Sequence, residues 1–134
     1  MNFNRTTSYS LNILSFMAKH KDERMSAKFL HGSLSIPYSY LRQVLSDLSK
    51  NRFITGLKGR NGGFILSKET NKIYLSDIIE STEGLGSFNK CIMGFDECPF
   101  NKPCSMHNIW TEARADIIRV LKNTTLSDLT DNVK

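Results

Sequence analysis

No cysteine occurs before position 91 or after position 104 of this 134-residue chain. The three that exist, Cys91, Cys98 and Cys104, crowd into fourteen residues. An odd, clustered set excludes a disulfide framework of the secreted kind. No long apolar run is present, so a membrane span is excluded. The start, Met1-Asn2-Phe3-Asn4-Arg5, has no apolar leader stretch. A cytoplasmic protein with reduced thiols is the expectation. No Gly-Lys-Ser/Thr follows a glycine loop, which removes a nucleotide phosphate cradle. No base stands at a suggestive spacing from a cysteine nucleophile, so an enzyme is not expected.

What is present points to a polyanion. The net charge is +5, and all of the excess lies early. Residues 1–83 hold 12 Lys/Arg against 7 Asp/Glu, whereas residues 84–134 are balanced at 6 and 6. Five of those early cations fall between Pro37 and Arg60. A local basic surface on a small domain suits nucleic acid.

Apolar periodicity predicts a first helix over Ser8–His20 and a short second one after Ser26, a natural N-cap, ending near Leu34. Ser35-Ile36 makes a tight turn. Pro37 then opens a third helix as its first residue. Leu41, Val44, Leu45 and Leu48 repeat at i, i+3, i+4, i+7 and define its buried face. Phe53–Thr55 and Gly63–Leu66 read as two strands around a glycine-rich, basic loop holding Lys58, Arg60 and Asn61. Helix, helix, turn, helix and basic hairpin together predict a winged helix-turn-helix. On this reading Tyr38, Ser39, Tyr40, Arg42 and Gln43 face the major groove or its phosphates, and the wing cations reach backbone or minor groove.

Ser76 is the expected cap of a short helix over Asp77–Thr82, stopped at Gly84. A long helix runs from about Ser105 to Thr124. Met106, Ile109, Trp110, Ala113, Ile117, Val120 and Leu121 recur along it on a seven-residue pattern, as in a helix packed lengthwise on a partner. Packing on its own domain is the plain alternative, but a helix this long on so small a DNA-binding domain points to a second copy. The tail is expected to be ordered at Leu126–Leu129. The fold class is therefore mostly α with a small β wing, plus a long C-terminal dimerisation helix. Three segments follow: a DNA-binding domain (1–83), a linker and cysteine loop (84–104), and a dimerisation helix with its tail (105–134).

The cysteine spacing is Cys-x6-Cys-x5-Cys-x2-His, closing on His107. Three thiolates and an imidazole suit an iron–sulfur centre and equally suit tetrahedral zinc. Pro99 and Pro103 stiffen this loop, and Phe95 and Phe100 are available to shield it. A solvated or helix-capping role is the plain alternative for His107.

Several pieces in order carry a resemblance: Ser26-Ala27-Lys28, Ile36-Pro37-Tyr38-Ser39-Tyr40-Leu41-Arg42-Gln43-Val44-Leu45, Gly59-Arg60-Asn61-Gly62-Gly63-Phe64, Leu75-Ser76-Asp77-Ile78-Ile79-Glu80, the three cysteines, and Leu126-Ser127-Asp128-Leu129. From about Phe3 to Leu129 the chain resembles the Rrf2 family of bacterial transcription regulators. The resemblance implies a homodimer on a palindromic double-stranded DNA operator, acting as a repressor and binding no small-molecule substrate. Cysteine-bearing members include the iron–sulfur cluster regulator and the nitric-oxide-sensing repressor, in which the three cysteines hold a cluster. It implies the same ligands here, with His107 as the fourth and either a 2Fe–2S or a 4Fe–4S cluster. A zinc-stabilised or thiol-sensing regulator or adaptor is the alternative. Three positions depart from the pattern. The aspartate that serves some members as fourth ligand aligns with Ser8, a recognition-helix glutamate aligns with Arg42, and a wing arginine aligns with Lys58. A different sequence preference follows from the second, and the loss of a bidentate fork from the third.

Overall fold

The computed structural model describes residues 3–86, 90, 91, 93, 95 and 104–131. Helix α1 spans Arg5–Lys19, α2 Ala27–Leu34, α3 Tyr38–Lys50, α4 Leu75–Thr82, α5 Met106–Asn123 and α6 Leu126–Asp131. Strands β1 (Ile54–Leu57) and β2 (Gly63–Leu66) form an antiparallel hairpin in which Ile54 pairs with Leu66 and Leu57 with Gly63. A 3₁₀ turn at Thr70–Lys72 leads into α4.

Local chemistry explains these limits. Helix α1 begins three residues before the apolar pattern shows it, because the Asn4 side chain accepts from the Thr7 amide at 2.8 Å. Ser26 caps α2 as expected, its hydroxyl accepting from the Phe29 amide at 3.0 Å. Pro37 sits one place earlier than expected, at the N-cap with extended ψ rather than inside the first turn. Ser76 does not cap α4. It lies buried in the first turn, and Tyr74 holds the cap position without a side-chain bond. Gly84 ends α4 as expected: φ is +80° and its N–H donates to the Ile79 carbonyl at 2.9 Å.

Helix α1 runs through the middle of the head and packs on α2, α3, α4, α6 and β2. Ile13 and Leu14 of α1, Leu30 of α2, Leu41 and Leu45 of α3, Ile54 of β1 and Ile78 of α4 are essentially solvent-free. The stripe read from the sequence of α3 is this buried face.

Two pairings lie beyond the reach of periodicity. The backbone of Met25 bonds both ways with Phe64, by N–H to O contacts of 3.1 and 2.8 Å, and so adds a third partner to the wing. Gly63 allows that approach: φ is +147°, and a Cβ there would sit 2.8 Å from the Met25 carbonyl oxygen. The chain also returns after α5. Tyr74 bridges Thr125, Leu75 N–H donates to the Thr124 carbonyl and Leu126 N–H to that of Ile73, both at 2.9 Å. Leu126 is fully buried in the main core and α6 packs on α1. The tail after α5 thus shares the core of the head.

Candidate nucleic-acid interface and cysteine loop

Helix α3 exposes Tyr38, Ser39, Arg42 and Gln43 on the side away from its leucine stripe. These four share one outer face. The Arg42 guanidinium lies 6.0 Å from the Tyr38 ring centroid, which orders a long cation beside an aromatic plate. The Gln43 amide donates to Asp47 Oδ1 one turn on at 3.2 Å.

Tyr40 departs from the expected set. Its ring packs edge-on against Tyr9 at 5.3 Å, and its hydroxyl bonds to the Thr6 hydroxyl. It is half-buried and braces α3 on α1. Its place at helix position i+2 from Tyr38 turns it off the outer face. The turn before α3 is held by His31. Its Nδ1 lies 2.6 Å from the Ile36 carbonyl, and a carbonyl only accepts, so Nδ1 carries the proton. The His31 ring also meets the Tyr38 ring edge-on at 5.5 Å.

Lys58, Arg60 and Asn61 are all exposed at the tip of the hairpin. A tight turn shapes that tip, with Gly62 N–H donating to the Gly59 carbonyl at 3.0 Å. Arg24, which the sequence reading passed over, donates to the Asn61 carbonyl at 3.2 Å. Its signal in the sequence is only a cation in a polar loop. Three cations therefore gather around one protruding loop, a surface suited to phosphate.

Of the cysteine loop, Cys98, Pro99, Phe100 and Pro103 lie outside the described residues. Cys91 and Cys104 are free thiols, each half-buried. The Met93 amide donates to Cys91 Sγ at 3.3 Å, and the Cys91 amide donates to the Phe95 carbonyl at 2.9 Å. Amide donors to sulfur are one lever that sets the potential of an iron–sulfur centre. Phe95 is exposed. The Lys90 carbonyl accepts from Trp110 Nε1 at 2.8 Å and from the Arg114 guanidinium at 3.1 Å. Cys104 immediately precedes α5, and its carbonyl accepts from the His107 amide at 3.0 Å. Both ends of the loop are therefore tied to the start of α5. His107 is exposed in the first turn of that helix. Among the described residues alone, no group of three metal-binding side chains converges. The described donors are nevertheless of the kind an iron–sulfur group takes: two half-buried thiols, one with an amide on its sulfur, and the exposed imidazole of His107 three residues after Cys104.

Helix α5 divides its apolar residues between two sides. Leu121 and Ile117 meet Ile79 of α4 in a small second core with Phe3 and Leu85. These two serve the chain's own packing, the plain alternative for this helix. Ile109 and Val120 are 61% and 57% exposed, and Met106 is exposed beside them. Trp110 and Ala113 are intermediate.

This architecture, with an open helix face and a basic wing, defines a winged helix-turn-helix DNA-binding protein. Residues 3–132 match the Rrf2 family, described as iron-dependent transcriptional regulators. The chain belongs to that family and is a transcription regulator. It is 33% identical over 128 residues to the HTH-type transcriptional regulator NsrR of Halalkalibacterium halodurans, covering 94% of this chain and 88% of that one. Among solved structures it is similar to CymR, the global cysteine regulator of B. subtilis, with a TM-score of 0.84 at 25% identity, over 100% of this chain and 99% of that one. It shares the fold of T. potens IscR, with a TM-score of 0.78 at 22% identity over 100% and 89% of the two chains. No described helix is long and apolar enough to cross a membrane.

Proposed function

We propose that this regulator is a homodimeric repressor whose operator affinity is controlled by an iron–sulfur cluster on Cys91, Cys98 and Cys104, with His107 as fourth ligand. The observation that carries this is the double anchor of the loop: the Lys90 carbonyl held by Trp110 and Arg114, with Cys104 leading straight into α5. When bound, the cluster supplies an iron centre open to oxidation and to nitric oxide. The chain's own part is mechanical. The loop is tied to α5, α5 packs on α4 through Leu121 and Ile79, and α4 packs on α1 beneath the DNA-reading helix. The exposed row Met106, Ile109 and Val120 is the seam for the second copy, with Trp110 and Ala113 at its margin. Two copies present two α3 helices to a palindrome with half-sites about 34 Å apart. Residues 1–83 read DNA, 84–104 sense, and α5 joins the copies. Tyr38, Ser39, Arg42 and Gln43 meet base edges or phosphates, while Lys58, Arg60 and Asn61 meet backbone or minor groove. The NsrR name of the sequence relatives and the iron in the family description support the cluster.

The test is anaerobic purification. A brown protein with iron and sulfide, bleached in Cys91→Ser, Cys98→Ser and Cys104→Ser, is expected. So is loss of affinity for a selected operator duplex when nitric oxide is added. The likeness to CymR favours one rival, a thiol-sensing regulator without a cluster. Colourless anaerobic protein with an intact operator complex would establish that rival, and one zinc per chain would point to the structural-metal alternative.

A further inference from the structure

Behind the DNA-reading face lies a cavity of about 270 Å³ between α1, the C-terminal half of α3 and the end of α4. Leu48 is its one apolar lining residue. Such a wall suits a polar ligand of a few heavy atoms rather than a drug-sized apolar one.

Both charge signs face this space. Asp47 and Lys50 lie three apart on α3 and both line it. Neither makes an ion pair among the described residues. Asp47 Oδ1 accepts from Gln43, which leaves Oδ2 open. Asn51 spends its amide nitrogen on the Asp47 carbonyl at 2.9 Å and keeps its oxygen. The Ser81 hydroxyl donates to the Ile78 carbonyl at 2.7 Å and keeps its lone pairs. Asp47, Asn51 and Ser81 are thus acceptors that suit an ammonium group. Ser10 lines the cavity while only 1% exposed, and its hydroxyl has no hydrogen-bond partner among the described residues. No sealed side-chain polar atom among the described residues lacks a partner, so this hydroxyl opens onto the cavity, where a ligand group can meet it. With the Lys50 ammonium it supplies donors for a carboxylate.

We infer that this cavity is an effector site for a small zwitterion of the amino-acid class. The site is coupled to DNA reading through Asp47, whose carboxylate also holds Gln43 on the outer face. A ligand ammonium that draws Asp47 inward releases Gln43 and alters its reach toward a base edge. The cavity's lining includes no cysteine.

The experiment is calorimetric titration of the free full-length protein with L-serine, with acetate and methylammonium as half-ligands. Saturable heat is expected for L-serine, with each half-ligand at least tenfold weaker. Lys50→Met and Asp47→Asn should each weaken L-serine at least tenfold. Circular dichroism confirms that both variants fold, and Ser10→Ala provides a smaller third lesion should either fail. Saturating L-serine should shift affinity for a selected operator duplex severalfold in the wild type and not in Lys50→Met. No saturable L-serine signal in the wild type would overturn the site, as would wild-type binding by both charge variants. Because the readout is ligand heat on apo protein, its failure is separate from failure of the cluster.

Discussion

The helices of the head and helix α5 are built from similar proportions of apolar residue but dispose of them differently. In the head, the apolar side of every helix meets another element, and the residues at its centre are 0–2% exposed. Helix α5 has 18 residues and a single buried one, Leu121. Ile109 and Val120, on its other side, stand mostly in solvent. A packed side chain contributes to the stability of one chain. An exposed row on a long helix contributes only when something covers it. The head therefore depends on itself, whereas in the proposed dimer α5 depends on association.

The sharpest way to break this contrast is to make the same change on both sides. Leu45→Ala removes a fully buried side chain from α3 and should cost about 2–5 kcal/mol in urea unfolding. Ile109→Ala should cost under about 0.5 kcal/mol of the monomer's stability, as exposed sites do. Its effect belongs in sedimentation: Ile109→Asp should convert a dimer to monomer at micromolar concentration. If Ile109→Asp unfolds the chain or leaves the dimer intact, the division fails.

Smaller effects test how the head holds its wing. Gly63→Ala places a methyl about 2.8 Å from the Met25 carbonyl at a φ of +147°. It should destabilise by roughly 1–3 kcal/mol and separate the wing from Met25. Ser26→Ala removes the α2 cap and should cost about 1 kcal/mol. Equal losses from Ala27→Gly and Ser26→Ala would show that helix propensity rather than the cap is being measured.

Much of the head was legible from residue order. The α3 stripe, the Ser26 cap, the Gly84 stop and the second strand all stand where the pattern puts them. Residue order is silent where a partner distant in the chain decides a side chain's surroundings. Tyr40 looks like a groove-facing aromatic until Tyr9 and Thr6 are seen beside it. Leu121 fits a heptad equally well whether Ile79 or a second copy covers it. The return of Thr125 to Tyr74 has no periodicity at all, although Thr125-Leu126-Ser127-Asp128 carries a capping-box signature. That signature is made: the Thr125 amide donates to Asp128 Oδ2 at 2.9 Å, and the Asp128 amide to Thr125 Oγ1 at 3.2 Å. Arg24 had no signal beyond its charge, because its value lies in proximity to Asn61.

The smallest effect separates two cations that look alike on the wing. Arg60 is exposed with no ion pair among the described residues, whereas Arg24 is bonded to the backbone of the loop. If Arg60 contacts a phosphate, Arg60→Ala removes one neutralised charge. The slope of log affinity against log salt should then fall by about one, with little change in preference among sequences. If Arg24 only positions the loop, Arg24→Ala should weaken binding with a nearly unchanged slope, and Arg24→Lys should recover little because the guanidinium geometry is lost. Filter binding from low to moderate salt distinguishes the two. An unchanged slope for Arg60→Ala would take that residue out of the interface, and a drop of one for Arg24→Ala would make it a direct contact instead of a support.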